Sequence, residues 1–409
     1  MGVAGCLLSS AAPLNLSECL ERAATRSPQN VQSVLNESKA VEAQKAASAS
    51  LLPQLSAVGT LSVTDNPATQ LPDANSAGVI LEQNLFPFSP SWVKAEQARG
   101  VAAAAHSARI EGSQDVALWV KQSYFAILNG EATLRIMDDV ETESEHLLHS
   151  VLPRFSMGRA PAYDLVKVKS ALAILARDRL FVQAALAGEK SQLGQALGLS
   201  ATEPVHLTEV TVVPALPLEI APETAVTQNP SLATLTAKIE ASRLGIKAAE
   251  YSRYPSVTAN IGADYAGTTP GSMSPGWAIG ANLKLPLFTW DQLGHQIAEE
   301  QSQVAIDESI LEQERQVVRA HWVQSLAEAR SSLEAMRRFE SLLTDTREAA
   351  RAATVRYTHG ANTILETTDA LTLWQDTSMA ERSAYFNYLS RLASLERLSG
   401  GTFRVSYEK

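Results

Sequence analysis

Chain-turning residues recur along this sequence at a fixed offset of 202 positions. Pro28 is answered by Pro230, Pro53 by Pro255, Phe86 by Phe288, Gly158 by Gly360, Leu193 by Leu395 and Gly198 by Gly400. Prolines and glycines mark where a chain stops, bends or reverses, so equal intervals between them mean two copies of one unit with one order of elements. A period this long marks a duplicated domain-sized unit, not a stacked solenoid. The length of 409 residues would accommodate two or three independent domains. The duplication argues for two intimately packed halves instead, 14–200 and 222–400, with a leader (1–13), a linker or small side structure (201–221, with Pro204, Pro214 and Pro217) and a tail (401–409).

Within each copy the hydrophobic period changes twice. Apolar residues at three- and four-residue steps predict an opening helix from an N-cap at Ser17 to about Ser50, and another over Ala221–Tyr251. Pro53 and Pro255 stop them. The period then falls to two, and strands are expected over about 53–63 and 78–86, and again over 255–265 and 277–288. In the last of these, Trp277, Ile279, Ala281, Leu283, Leu285 and Leu287 share one face. Polar, proline- and glycine-rich loops join each pair. A long helix follows each hairpin, from about Ser91 to the region of Pro153 and from Asp291 to Arg356, roughly 95 Å at the α-helical rise. Val318, Trp322, Leu326, Ala329, Leu333 and Met336 form a coiled-coil-like seam in the second. Tight turns ending at Gly158 and Gly360 lead into return helices over about 163–197 and 363–399.

Composition narrows the classes further. Aromatic residues are scarce (6%) and the 45% hydrophobic content leans on Ala and Leu, which suits long helices packed along narrow seams. A formal charge of −10 disfavours nucleic acid. No run of about 18 apolar residues predicts a transmembrane helix, but barrel strands carry a far weaker signal. Residues 2–13 read as the tail of a secretory signal, as a lipoprotein box at Val3-Ala4-Gly5-Cys6 with Cys6 lipidated, or as a disordered leader. Four strands per chain cannot close around a useful lumen, and open edges cannot face lipid. The strands therefore form either a small soluble sheet or one wall of a barrel pooled from several chains.

The order of these elements resembles the TolC family of outer-membrane efflux and type I secretion channels. The matching stretches are Leu16–Pro28, Ser50–Leu55 (SLLPQL), Val120–Leu128 (VKQSYFAIL) with Val318–Leu326 (VRAHWVQSL), and the turns RFSMGRAPAYD and RYTHGANTILETTDAL. No single motif is specific; the duplicated order is. The resemblance implies a mainly α fold with a membrane β-hairpin in each copy, assembled as a homotrimer. A twelve-stranded barrel in outer-membrane lipid would continue into an α-helical tunnel across the periplasm. It further implies a periplasmic adaptor, an inner-membrane pump of RND, ABC or MFS type, no cofactor and no catalysis. The two turns would form the tip, with Arg154, Gly158, Arg356 and Gly360 meeting the adaptor. Asp164 and Tyr357 fall at the positions that close it, and Glu366 and Asp369 at an acidic ring. Threefold repetition of that pair would place six carboxylates around a narrow mouth, favouring cations and admitting a polyvalent block. Asn362 stands where the family's best-known member carries an arginine, Tyr163 where it carries a threonine, and Pro153 falls in the last helical turn. These departures predict a less firmly locked tip.

Plainer readings accompany each residue. Asp164, Glu366 and Asp369 lie near helix starts, where acids favour the dipole in any protein. Tyr357, Gly158 and Gly360 also suit ordinary turn packing. His146 and His149 with Glu143 and Glu145 could hold a metal or line a solvated helix face, and His359 is similar. Tyr265, Trp277, Phe288 and Trp290 form either a girdle at a membrane boundary or packing between sheet and helix. A soluble periplasmic coiled-coil scaffold is the competing function. An enzyme is disfavoured, since neither a phosphate-binding glycine loop nor a nucleophile elbow is present.

Overall fold

The computed structural model describes residues 13–61, 75–85, 90–200, 203–217, 221–267, 273–401 and 403–407. Cys6, the leader up to residue 12, the strand ends expected at 62–63 and Phe86, and most of both hairpin loops lie outside them. The first copy runs α1 (Leu16–Arg26), α2 (Pro28–Ala49), β1 (Gln54–Thr60), β2 (Asn75–Asn84), α3 (Pro90–Ser156) and α4 (Ala162–Ala196). The second runs α5 (Pro222–Gln228), α6 (Pro230–Tyr251), β3 (Ser256–Gly267), β4 (Ser274–Lys284), α7 (Gln292–Thr358) and α8 (Ile364–Leu398). The three longest helices of each copy match to the residue: α2 and α6 have 22 residues each, α3 and α7 67, and α4 and α8 35.

Several boundaries differ from the sequence reading, each for a local reason. The opening helices are broken in two. Ser27 and Asn229 each precede a proline and hold ψ at 128°, outside the helical range. Asn229 is buried, and its side-chain amide donates to the Leu398 carbonyl at 3.2 Å. Asn15, not Ser17, caps α1: its side chain accepts from the Glu18 amide at 2.7 Å, and Glu18 returns the bond to the Asn15 amide at 3.2 Å. Pro153 lies inside the last turn of α3, as expected, and the helix runs on to Ser156. β4 stops at Lys284, short of Phe288, because Pro286 has no amide to give the ladder.

Two compact units emerge, each drawing on both copies. One comprises Met1–Gln32, Gly112–Asn229 and Gln316–Lys409; the other comprises Ser33–Glu111 and Pro230–Arg315. The first has a core of long side chains, with Trp322, Tyr124, Phe125, Leu147, Leu193, Tyr388 and Leu392 fully buried. Val318, Ala329 and Met336 are buried along the seam expected on α7. The segment 203–217 is held as a strap by tyrosine hydroxyls. Tyr124 donates to the Thr208 carbonyl at 2.6 Å, Tyr385 to the Val210 and Val212 carbonyls at 2.9 and 3.0 Å, and Tyr388 to the Pro214 carbonyl. Leu14 joins it through a parallel bridge to Leu207. These bonds satisfy carbonyls that no ladder pairs.

The second unit carries one antiparallel sheet in the order β1-β2-β3-β4. Residues paired across neighbouring strands share a face. Registers such as Leu55↔Leu81, Leu81↔Ile261 and Ile261↔Ile279 therefore place Leu55, Ala57, Val79, Leu81, Val257, Ile261, Trp277, Ile279 and Leu283 together. The opposite face is mostly polar, gathering Ser56, Glu82, Asn84, Thr258, Asn260, Asp264, Asn282 and Lys284 with Val58 and Ile80 among them. β1 and β4 are exposed along their whole lengths. One face is mostly apolar, the other mostly polar, and both edge strands are exposed.

Candidate functional site

The two helix–helix turns are built alike. In the first, the Gly158 amide donates to the Phe155 carbonyl at 2.9 Å and the Arg159 amide to the Arg154 carbonyl at 2.7 Å. In the second, the Gly360 amide donates to Tyr357 and the Ala361 amide to Arg356, both at 2.9 Å. Both glycines sit in the left-handed region, at φ 67° and 77°, where a side chain would be strained.

Their side chains then diverge. Tyr357 is only 4% exposed and belongs to a buried cluster that also holds Met137, Val140, Leu147, Val168, Ile364 and Trp374. Its hydroxyl donates to Asp164 Oδ2 at 2.7 Å. The Arg154 guanidinium donates to the Tyr357 carbonyl and lies 5.1 Å from the centre of its ring. Burial first, and the Asp164 acceptor second, push the Tyr357 hydroxyl up to about 12, with Arg154 pulling the other way. Arg154 and Asp164 of the first copy thus clamp Tyr357 of the second.

The positions 202 residues away form no such clamp. Arg356, Phe155 and Glu366 are all exposed. The first copy has Phe155 where the second has Tyr357, so no hydroxyl is there to donate to Glu366, and the helix starts differ as well. Thr363 caps α8: its amide donates to Glu366 Oε2 at 2.9 Å, and its hydroxyl accepts from the Glu366 amide at 3.3 Å. Those bonds to Thr363 hold the Glu366 carboxyl below its usual range. The equivalent cap of α4 is Pro161, which makes no side-chain bond, so the Asp164 carboxylate is left to accept from Tyr357. Comparing the copies at the 202-residue offset exposes this Pro/Thr difference in the sequence. The role of Arg154 as a clamp had no sequence signal, because Arg356 is its equal there.

The other sequence-selected residues are placed as follows. Asp369 is exposed one turn beyond Glu366 and lines a groove of about 340 Å³ with Ser144, Leu147, Lys167 and Thr372. Gly158, Arg356 and Gly360 are exposed, and Asn362 is half-buried. Tyr163 points outward at 58% exposure. His146 and His149 are exposed, and Glu143 is engaged by Arg351 at 3.6 Å. His359 turns back onto the Val355 carbonyl at 2.8 Å.

Residues 221–401 match the family described as outer membrane efflux protein. Over 410 aligned residues the chain is 24% identical to the outer membrane protein TolC of Vibrio cholerae, covering 97% of this chain and 93% of that one. Among solved structures, the fold is similar to the Campylobacter jejuni CmeC outer membrane channel, with a TM-score of 0.85 at 14% identity over 95% of this chain and 86% of that one. It is also similar to the open state of the Neisseria gonorrhoeae MtrE outer membrane channel, with a TM-score of 0.77 at 19% identity over 94% and 89%. The duplicated helix–hairpin–helix order, the two-faced sheet and these matches agree: residues 221–401 match the outer membrane efflux protein family, and along its whole length the chain resembles TolC-like outer membrane channels.

Proposed function

We propose that three copies of this chain form an exit duct of a tripartite efflux or type I secretion system, passively conducting substrates across the periplasm and outer membrane. The observation that carries this reading is the four-stranded sheet with one mostly apolar face, one mostly polar face and two exposed edge strands. Unpaired edges in lipid cost several kcal/mol per group, so β1 of one copy must find β4 of the next. Three copies then supply twelve strands, with the apolar face in lipid and the polar face lining the lumen. The repeats 14–200 and 222–400 act as the two halves of each subunit, with 201–221 as a strap beside the helices.

The turns form the periplasmic mouth. Within each subunit, Arg154, Tyr357 and Asp164 hold the two helical hairpins together, and opening requires the Tyr357–Asp164 bond to break. Glu366 and Asp369 ring the mouth, and Gly158, Arg356 and Gly360 face the periplasmic adaptor that couples the duct to an inner-membrane pump. Asn362 and Tyr163 leave the subunits less firmly tied to one another than in the family's best-known member. Cys6 is the position for a lipid anchor. The pump, not the duct, selects the cargo.

Planar-bilayer conductance of the purified trimer, with and without a millimolar trivalent cation on the turn side, tests this. Discrete channels whose block disappears in Glu366→Gln/Asp369→Asn are expected. Folded, trimeric protein that makes no channels would instead support a periplasmic scaffold.

A further inference from the structure

The four strands carry three charged side chains, Glu82, Asp264 and Lys284. Register puts all three on the mostly polar face. Glu82 pairs with Asn260, and Asp264 lies four residues along β3 from Asn260 on that face. Lys284 pairs with Ser256, four residues from Asn260 in the other direction. Charge is therefore segregated along the strands as well as across the sheet. The lysine stands where β4 ends and the chain turns toward α7, and both acids stand further toward the hairpin loops. Glu82 and Lys284 are exposed, Asp264 is half-buried, and none of the three is ion-paired among the described residues. Asp264 sits between Gly78 on β2 and Gly276 on β4. A Cβ on Gly78 would fall 2.5 Å from Asp264 Cβ, and one on Gly276 would fall 3.2 Å from its Oδ1. Glycine weakens a strand and marks close approach, so the room left on both sides of this one acid costs strand stability.

We infer that Lys284, Glu82 and Asp264 give the barrel a charge filter of its own, a lysine ring at the helix-side end of the lumen followed by acidic rings toward the loops. This rests on the duct reading proposed above, in which the polar face lines the lumen. Threefold assembly turns each of these side chains into a ring. Eight residues of β3 separate Ser256, the partner of Lys284, from Asp264, roughly 27 Å of strand and about 20 Å along the axis at barrel tilt. That distance exceeds the Debye length of about 10 Å at 0.1 M salt. The positive and negative zones therefore act one after the other and do not cancel. The lysine ring also opposes in sign the Glu366 and Asp369 carboxylates at the turns. An ion leaving the helical tunnel meets a barrier to cations at Lys284 and then a barrier to anions at Glu82 and Asp264. A twelve-stranded lumen is wide, so these rings bias the flow of ions and do not block it. The lysine ring favours anionic solutes, and it offsets the cation preference set at the mouth.

The test is the reversal potential of full-length trimers in planar bilayers under a potassium chloride gradient. It is recorded in the Glu366→Gln/Asp369→Asn background, so that the mouth no longer sets selectivity. Lys284→Gln should raise the cation-to-anion permeability ratio roughly twofold near 0.1 M salt, and by less near 1 M, where the Debye length is about 3 Å. Asp264→Asn should lower the same ratio. Lys284→Cys separates charge from misassembly, because charge is then restored after the barrel has formed. A cationic thiosulfonate reagent should return the background ratio, and an anionic one should push it further toward cations. Cys19 is buried, and the same reagents on the unsubstituted background control for Cys6. Unchanged ratios in channels that form normally, or shifts of the opposite sign, would overturn the filter and leave the duct intact. Folded background trimers that conduct no ions would sink the duct reading, and the filter with it.

Discussion

At the scale of single residues, the two turns differ in where the acid's carboxylate goes. Asp164 spends its oxygen on the Tyr357 hydroxyl, whereas Glu366 spends one on the Thr363 amide. A hydrogen bond to a charged acceptor contributes about 1.5–3 kcal/mol. Tyr357→Phe should therefore raise the resting conductance of the trimer while leaving its assembly intact, as checked by bilayer recording and heat-resistant trimers on gels. The same bond has a pH signature. Its folded pKa of about 12 exceeds the ordinary tyrosine value of 10.0, so its stabilisation is whole below pH 10 and is lost as pH climbs through 12. Resting conductance should rise across that window in the wild type and show no such step in Tyr357→Phe.

At the scale of elements, the helix starts add to the asymmetry between two copies whose three longest helices match in length. Pro161→Thr would give α4 the cap that α8 already has, offering Asp164 a local partner at the first turn. This variant should gain about 1 kcal/mol of capping and weaken the clamp on Tyr357 by competition. Conductance rising while thermal stability holds or improves is the expected pair of readouts; a rise in neither would show that capping does not compete. Thr363→Val removes the existing cap, costs about 1 kcal/mol and should lower thermal stability without touching the Tyr357 bond. Both turns were legible in the sequence through Gly158 and Gly360. Their different side-chain chemistry was not, because Arg154 and Arg356 look alike until one is seen to lie over a buried ring.

At the scale of the whole molecule, the sheet's two faces set the solvent on either side. An arginine on the apolar face near mid-strand, Ile279→Arg, should cost about 2–4 kcal/mol in a bilayer. Asn282→Arg on the polar face should leave stability nearly unchanged and shift the ion selectivity of the barrel. Urea unfolding of vesicle-reconstituted variants measures the first, and reversal potentials in a salt gradient the second. Equal costs at the two positions would refute the assignment of faces. The strand alternation carries this information because its period of two is a local property of the chain.

The order of elements, the duplication and the strand faces were determined by the sequence itself, since proline, glycine and hydrophobic period act over a few residues. The breaks at Ser27 and Asn229 were equally local and could have been read from Pro28 and Pro230. Only the tertiary structure decided which residues meet across the repeat. Tyr357 and Asp164 are 193 positions apart, and the Tyr385 hydroxyl reaches a strap 175 positions away. Such contacts depend on how the helices pack, and nothing in the spacing along either copy encodes them.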